Sequence, residues 1–327
     1  MKKISIGIPC YNEEENIELM YHAIKKIMDD YVSMGKYDYE ILFEDNCSVD
    51  NSEKILREIS QNDTRVKVIL NQTNCGPLRS GTNCMKNISG DAYISIPCDF
   101  QEPPEMIPKF IKIWEQGNPI VWGQKVKSKE SNIKYFLRNI YYGVIDVFSD
   151  DKQLKQVTGF GIMDRTVVDA ILPTKIQDPE IAVRHLVVKL GYDVVLIPYE
   201  QQERKRGSSS YNLSKYYNFA ITSLCNTSIK PLRLMTLIGM ITGCVSMIIA
   251  VVYFVYKLVN WNGFSLGVGP IVIGMFFIGS VQLFCLGILG EYVGVLLRKV
   301  TNEALVIEKE RINFEVHGAE KQSDHLE

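Results

Sequence analysis

Three short polar runs hold most of the residues capable of chemistry: Pro9 to Glu15, Glu44 to Asp50 and Asp99 to Glu105. Each follows an apolar stretch that reads as a strand, so the runs fall where an alternating α/β chain gathers its functional groups. Carboxylates collected at strand ends suit a divalent cation, Mg2+ or Mn2+, bridging to a diphosphate whose charge must be neutralised before a leaving group departs. Asp99 is the strongest candidate ligand, with Gln101 and Glu102 beside it and Pro103-Pro104 stopping the chain and seeding the next helix. The plainer alternative for Asp99 is an Asx turn. A fourth run, Gln201 to Lys215, carries Arg204, Lys205 and Arg206 ahead of Gly207 and three serines, and reads as a solvated loop or an anion-binding one. His22, His185, His317 and His325 stand apart from one another and from these runs and read as surface or structural residues.

The elements that must position these groups follow from the spacing of apolar residues. Strands are expected at Ile4 to Ile8, Tyr39 to Phe43, Val66 to Leu70, Ala92 to Ile96, Pro119 to Trp122, Gly159 to Met163 and Val194 to Pro198. Helices are expected at Asn12 to Met28, Ser52 to Ser60, Pro77 to Asn87, Met106 to Trp114, Val167 to Leu172 and Ala182 to Leu190. A long aromatic amphipathic helix over Ser131 to Phe148, with Tyr135, Phe136, Tyr141, Tyr142 and Phe148, reads as core before membrane. Strands alternating with helices imply a mostly parallel, doubly wound sheet ending near residue 200.

After that point the composition changes. No charged residue occurs from Leu234 to Tyr256 or from Leu258 to Gly290, and each stretch can cross a hydrocarbon layer of about 30 Å at about 1.5 Å per residue. Two spanning helices within 231–297 follow, preceded by a basic loop and interfacial amphipathic helix at 201–230 and trailed by a tail at 298–327. Lys230 and Arg233 flank the first span and Arg298 and Lys299 the second, while the connection carries only Lys257, which places the main domain and the tail on the cytoplasmic side of an inner membrane. Gly274, Gly279, Gly287 and Gly290 are suited to close helix contact, including self-association of protomers.

The totals exclude some classes. With 36 Lys plus Arg against 38 Asp plus Glu, no global basic surface points to nucleic acid. The eight cysteines form no CxxC pair and no metal-ligand spacing with histidine, as expected of reduced thiols in the cytosol. Met1-Lys2-Lys3 runs straight into Ile4, too short for a signal sequence, so the main domain is not expected to be exported.

Ile8-Pro9-Cys10-Tyr11-Asn12-Glu13-Glu14-Glu15-Asn16, Glu44-Asp45-Asn46-Cys47-Ser48-Val49-Asp50 and Cys98-Asp99-Phe100-Gln101-Glu102-Pro103-Pro104-Glu105 resemble, in order and spacing, the successive signatures of family 2 glycosyltransferases. The branch resembled is that of dolichyl-phosphate mannose synthase and the bacterial polyprenyl-phosphate glycosyltransferases. The likeness runs on through Gly159 to Arg165, through Arg204 to Tyr211 and into the apolar segments ending Leu289 to Gly294. It implies a GT-A fold and an inverting transfer from a UDP- or GDP-sugar to a polyprenyl phosphate. It implies that Pro9, Tyr11, Glu13 and Lys125 line the nucleotide-sugar with Asp45 facing the base, and that Asp99 and Gln101 meet the metal and diphosphate. Arg204, Arg206 and Ser209 would lie in the loop holding the acceptor phosphate or the diphosphate. A lipid phosphate is already an anionic nucleophile near neutral pH, so a dedicated base is less necessary than for a hydroxyl. The sequence departs from the pattern in three places: the family's Asp-x-Asp reads Pro97-Cys98-Asp99, the basic pair after Gly123 reads Lys125 and Ser128, and an expected Arg reads Gln201. Two other readings stay open: transfer to a saccharide hydroxyl using an acid near Asp178 or Glu180, and a non-catalytic scaffold, motivated by Pro97.

Overall fold

Largely apolar strands alternate with amphipathic helices from the first residue, and in the computed structural model they assemble one sheet. The structure describes residues 1–127, 154, 156–179, 181–202, 230–259, 268–300 and 304–314. The expected helix over 131–148, Ser128, Glu180, the amphipathic helix before residue 230 and the whole of Arg204 to Ser209 lie outside these residues. The chain divides into two compact units, residues 1–135, 153–210 and 303–327, and residues 136–152 and 211–302.

In the first unit the strands are β1 (Lys2–Cys10), β2 (Tyr37–Asp45), β3 (Val66–Asn71), β4 (Ala92–Ser95), β5 (Ile120–Lys127), β6 (Val157–Asp164), β7 (Val195–Glu200) and β8 (Glu308–Ile312). The helices are α1 (Ile17–Ser33), α2 (Ser52–Asn62), α3 (Pro77–Lys86), α4 (Ile107–Trp114), α5 (Arg165–Gln177) and α6 (Val183–Lys189). The strand order is β7-β5-β6-β4-β1-β2-β3-β8. Parallel pairing joins β1 to β2 and β4, β2 to β3, and β5 to β7. Only β6 and β8 run against the rest. The sheet is therefore mixed, mostly parallel as expected, with two reversed strands.

Side-chain alternation divides the helices between two faces. Ile4, Ile6 and Ile8 of β1 and Ile41 and Phe43 of β2 share one core with Ile17, Met20 and Ile24 of α1 and Phe110 of α4. On the other face Tyr93 and Met163 pack with Met85 of α3, Val167 of α5 and Leu186 of α6. Each fully buried isoleucine contributes about 2 kcal/mol.

Two features differ from the expectation. The first helix begins at Ile17 rather than Asn12, because Asn12 turns left-handed at φ 56 and the N–H groups of residues 12–14 bond to the loop after β2 instead of starting a helix. The C-terminal tail also forms β8, an edge strand on β3. Its sequence, Glu-Lys-Glu-Arg-Ile, shows no apolar alternation. It is held by the ladder, by Gln72 N–H donating to Ile307 O at 2.8 Å, and by the pairs Arg57–Glu310 at 2.5 Å and Lys309–Glu53 at 3.1 Å. Phe314 packs on Leu42, Ile69 and Cys84, and Asn313 donates to Ser60 O and Val66 O.

The second unit contains α7 (Lys230–Val259), of 30 residues, and α8 (Val268–Val300), of 33. Phe277–Leu297 of α8, 21 residues with mean hydropathy 1.7, is long and apolar enough to cross a membrane, and it is one such segment among the described residues. Ile241, Val245, Ile248 and Val252 of α7 are exposed as well. Nothing among the described residues lies within 4 Å of a Cβ built on Gly274, Gly279, Gly287 or Gly290.

Candidate functional site

The carboxyl ends of β1, β2 and β3 are sewn together by their loops. After β1, Asn12 N–H donates to Ser48 Oγ at 2.8 Å, Glu13 N–H to Ser52 Oγ at 3.0 Å and Glu14 N–H to Asp50 Oδ2 at 3.1 Å. The bonds are returned: Val49 N–H donates to Asn12 Oδ1 at 2.9 Å, and Asn51 donates twice to Glu14 Oε2. Asn46 receives Cys75 N–H at 2.9 Å and gives its amide to Asn74 Oδ1 at 3.0 Å, which ties in the loop after β3. Asn12, Cys47 and Phe100, one in each of three strand-end loops, have φ between 56 and 63. Left-handed non-glycine residues cost about 1 kcal/mol or more each, and here three collect at one edge of the sheet.

Among the expected nucleotide residues, Pro9 and Tyr11 are half-buried, and Glu13 and Asp45 are buried at 7% and 2% exposure. Glu13 Oε2 accepts Asn16 Nδ2 at 2.6 Å. Asp45 stands opposite Cys10 in the β1–β2 register and accepts Ser48 N–H at 3.0 Å and Ser48 Oγ at 2.5 Å. Burial raises its carboxyl above the usual range against those bonds. Burial, then the neighbouring Cys98, Asp45, Cys84 and Glu13, push the Cys10 thiol well up.

The turn after β4 carries Asp99. Its Oδ1 accepts Gln101 N–H at 3.2 Å, so the Asx turn is present and uses one carboxylate oxygen. Glu102 follows, buried at 3% exposure, accepting Tyr199 Oη at 3.2 Å and Thr158 Oγ1 at 3.4 Å. Burial, then the charge of Asp99, push the Glu102 carboxyl up to about 7, while Lys125 works the other way. Lys125 lies on β5 opposite Tyr199 of β7. Gln101 O accepts Gln202 N–H at 3.1 Å, and Gln101 Oε1 accepts Gln201 Nε2 at 3.3 Å.

The structure thus brings Pro9, Tyr11, Glu13 and Asp45 to adjoining strand ends and Asp99, Gln101 and Lys125 to the neighbourhood of Glu102. Arg204, Arg206 and Ser209 lie outside the described residues, and so does Glu180. Sequence reading placed Glu102 beside Asp99 without a role and did not pair it with Tyr199 or Thr158, whose distance in sequence hides the contact. No group of three His, Cys, Asp or Glu side chains is arranged for a metal among the described residues. Hard oxygen donors at Asp99 fit a Mg2+ or Mn2+ that takes few protein ligands and fills its shell with phosphate oxygens and water.

Residues 5–172, just over half of the chain, match the family described as Glycosyl transferase family 2. A Bacillus subtilis protein named Uncharacterized glycosyltransferase YkcC is 32% identical over 315 residues, 95% of this chain and 94% of that protein. The SfII prophage-derived bactoprenol glucosyl transferase of Shigella flexneri is 28% identical over 308 residues, 94% of this chain and 97% of that protein. A solved structure of glucosyl-3-phosphoglycerate synthase from Mycobacterium tuberculosis, in complex with Mn2+, uridine-diphosphate and phosphoglyceric acid, is 16% identical. It covers 68% of this chain and 76% of that chain at a TM-score of 0.47.

Proposed function

Because this chain belongs to glycosyl transferase family 2 and is a glycosyltransferase, we propose that it moves a sugar, with inversion, from a UDP- or GDP-sugar to a polyprenyl phosphate at the cytoplasmic face of a bacterial inner membrane. The observation that carries the reading is the alignment with a bactoprenol glucosyl transferase over 94% of this chain, a span that includes both the sheet and the apolar helices. The geometry agrees with it: the polar groups stand at strand ends of an α/β sheet, where such folds bind ligands.

In this reading Pro9, Tyr11 and Glu13 line the nucleotide, Asp45 faces the base, and Lys125 meets the donor's phosphates. Asp99, with Gln101, holds the diphosphate and its Mg2+ or Mn2+, which supplies charge neutralisation to the leaving group when bound. The loop with Arg204, Arg206 and Ser209 holds the acceptor phosphate or the diphosphate. The acceptor oxygen is already anionic, so these residues work by placing the two phosphates and offsetting their charge rather than by removing a proton. Both apolar helices span the bilayer, which keeps the lipid phosphate available to the site, and protomers associate through α7 and α8.

The test is transfer from radiolabelled UDP- and GDP-sugars to undecaprenyl phosphate by the full chain in detergent with Mg2+ or Mn2+. A lipid-linked product cleaved by mild acid is expected, and Asp99→Ala should lower turnover about a hundredfold while the melting temperature stays within a few degrees. No lipid-linked product from any donor sinks the reading; a product stable to mild acid moves it to a saccharide hydroxyl acceptor.

A further inference from the structure

Pro103 and Pro104 fix the exit of the turn that carries Asp99 through their locked φ, while Phe100 sits left-handed at φ 57 and packs against the main core. The turn is also bonded to strands far away in sequence. Glu102 Oε1 accepts the hydroxyls of Tyr199 at 3.2 Å and Thr158 at 3.4 Å, and Gln101 is joined through backbone and side chain to Gln202 and Gln201. Tyr199 is itself buried and closely packed. Its ring lies where a Cβ on Gly123 would come within 2.9 Å, and it meets Phe160 edge-on at 5.6 Å, which meets Phe110 at 4.9 Å. A carboxyl at 3% exposure is unfavourable in an apolar surround unless it is hydrogen-bonded, so filling space alone gives no reason for an acid here.

We propose that Glu102 is a positioning residue: by accepting the Tyr199 and Thr158 hydroxyls it fastens the Asp99 turn to β6 and β7 and so sets the placement of Asp99 toward a cation-bound diphosphate. The link from Glu102 to Asp99 is short. Gln101 N–H, next in the chain, is the donor that orients the Asp99 carboxylate through Oδ1, so any slackness at Glu102 reaches Asp99 through one residue. Groups that orient a metal-binding carboxylate typically change metal affinity or turnover 10–100-fold when removed.

This inference rests on the proposed donor chemistry, and the experiment separates the two. Full-length protein and the variants Glu102→Ala, Glu102→Gln and Tyr199→Phe are compared in detergent. Mn2+ titrations are followed by electron paramagnetic resonance with UDP or GDP present, alongside melting temperature and kcat. Glu102→Ala should raise the Mn2+ concentration for half-saturation about tenfold and lower kcat by a similar factor. Glu102→Gln keeps an acceptor oxygen and should stay within about twofold of the wild type, and Tyr199→Phe, losing one hydrogen bond, should shift the titration about threefold. A Glu102→Ala protein that melts earlier but keeps its Mn2+ titration shows a merely structural role and overturns the inference. So does a Glu102→Gln protein as impaired as Glu102→Ala. Wild-type protein that binds Mn2+ with neither nucleotide overturns the donor reading and this inference with it.

Discussion

Two glutamates on one face of β2 show how far a side chain's chemistry depends on what the fold sets around it. Glu40 is 1% exposed, and although burial opposes its charge, Lys3, Lys67, Ser5 and Ser89 outweigh that and hold its carboxyl down to about 2. Glu44, four residues on, is fully buried; Oε1 accepts Asn71 Nδ2 at 3.0 Å and Oε2 has no hydrogen-bond partner among the described residues. Burial pushes it up to about 8, with Asn71, Cys84 and Asn83 opposing and the charge of Glu308 adding to the rise. A raised acid gives stability that is complete below its unfolded value of 4.5 and is lost as pH climbs through about 8. Between those values wild-type stability should fall by up to about 1.4 kcal/mol per pH unit from this group alone. Glu44→Gln should therefore gain on the wild type steadily from pH 5 to pH 8, read as the difference in melting temperature across that range; a difference independent of pH would show that Glu44 is ionised in the folded protein. Glu40→Gln should do the opposite, with a deficit present above pH 4.5 that shrinks as the pH drops toward 2. None of this is legible in the sequence, where both residues are acids in an apolar strand. Glu40 is set by Lys3 and Lys67 and Glu44 by its burial, and only folding brings about either surround.

At the scale of elements the sequence is far more informative. Every strand from β1 to β7 overlaps an expected stretch, with β5 running five residues beyond its own, since an apolar run bounded by polar turn residues leaves little choice. The strand-end loops were legible for the same reason: Glu13 and Asp99 lie in them and Asp45 closes β2. β8 was not legible, because an edge strand facing water gains from charged side chains and so carries no periodic apolar signal. Nor was the reversal of β6, since an apolar run does not encode strand direction, nor the tight backbone at Gly161 within it. There φ is +144, and a Cβ would stand 2.2 Å from Val121 O. Gly161→Ala should accordingly destabilise the protein by more than about 3 kcal/mol, from backbone strain and overpacking together. Urea unfolding of the full chain checks this; a loss below 1 kcal/mol would mean that β5 and β6 can part without penalty.

For the whole molecule, the order of parts along the chain matters as much as their shapes. β3 lies inside the sheet only because β8 covers it, and β8 belongs to residues that follow both apolar helices. Removing residues 304–327 should expose the β3 edge together with Leu42 and Ile69 beneath Phe314, lowering the melting temperature by several degrees and favouring aggregation, as light scattering during heating would report. A truncated protein that melts and scatters like the intact one would make β8 dispensable. There is a consequence for biosynthesis. A ribosome making this chain releases β1 to β7 first, then the two apolar helices, and only in its last two dozen residues the strand that closes the sheet. The nascent domain must wait with one flank unsealed until those residues emerge, and a premature stop between residues 300 and 308 yields a product whose sheet cannot be closed.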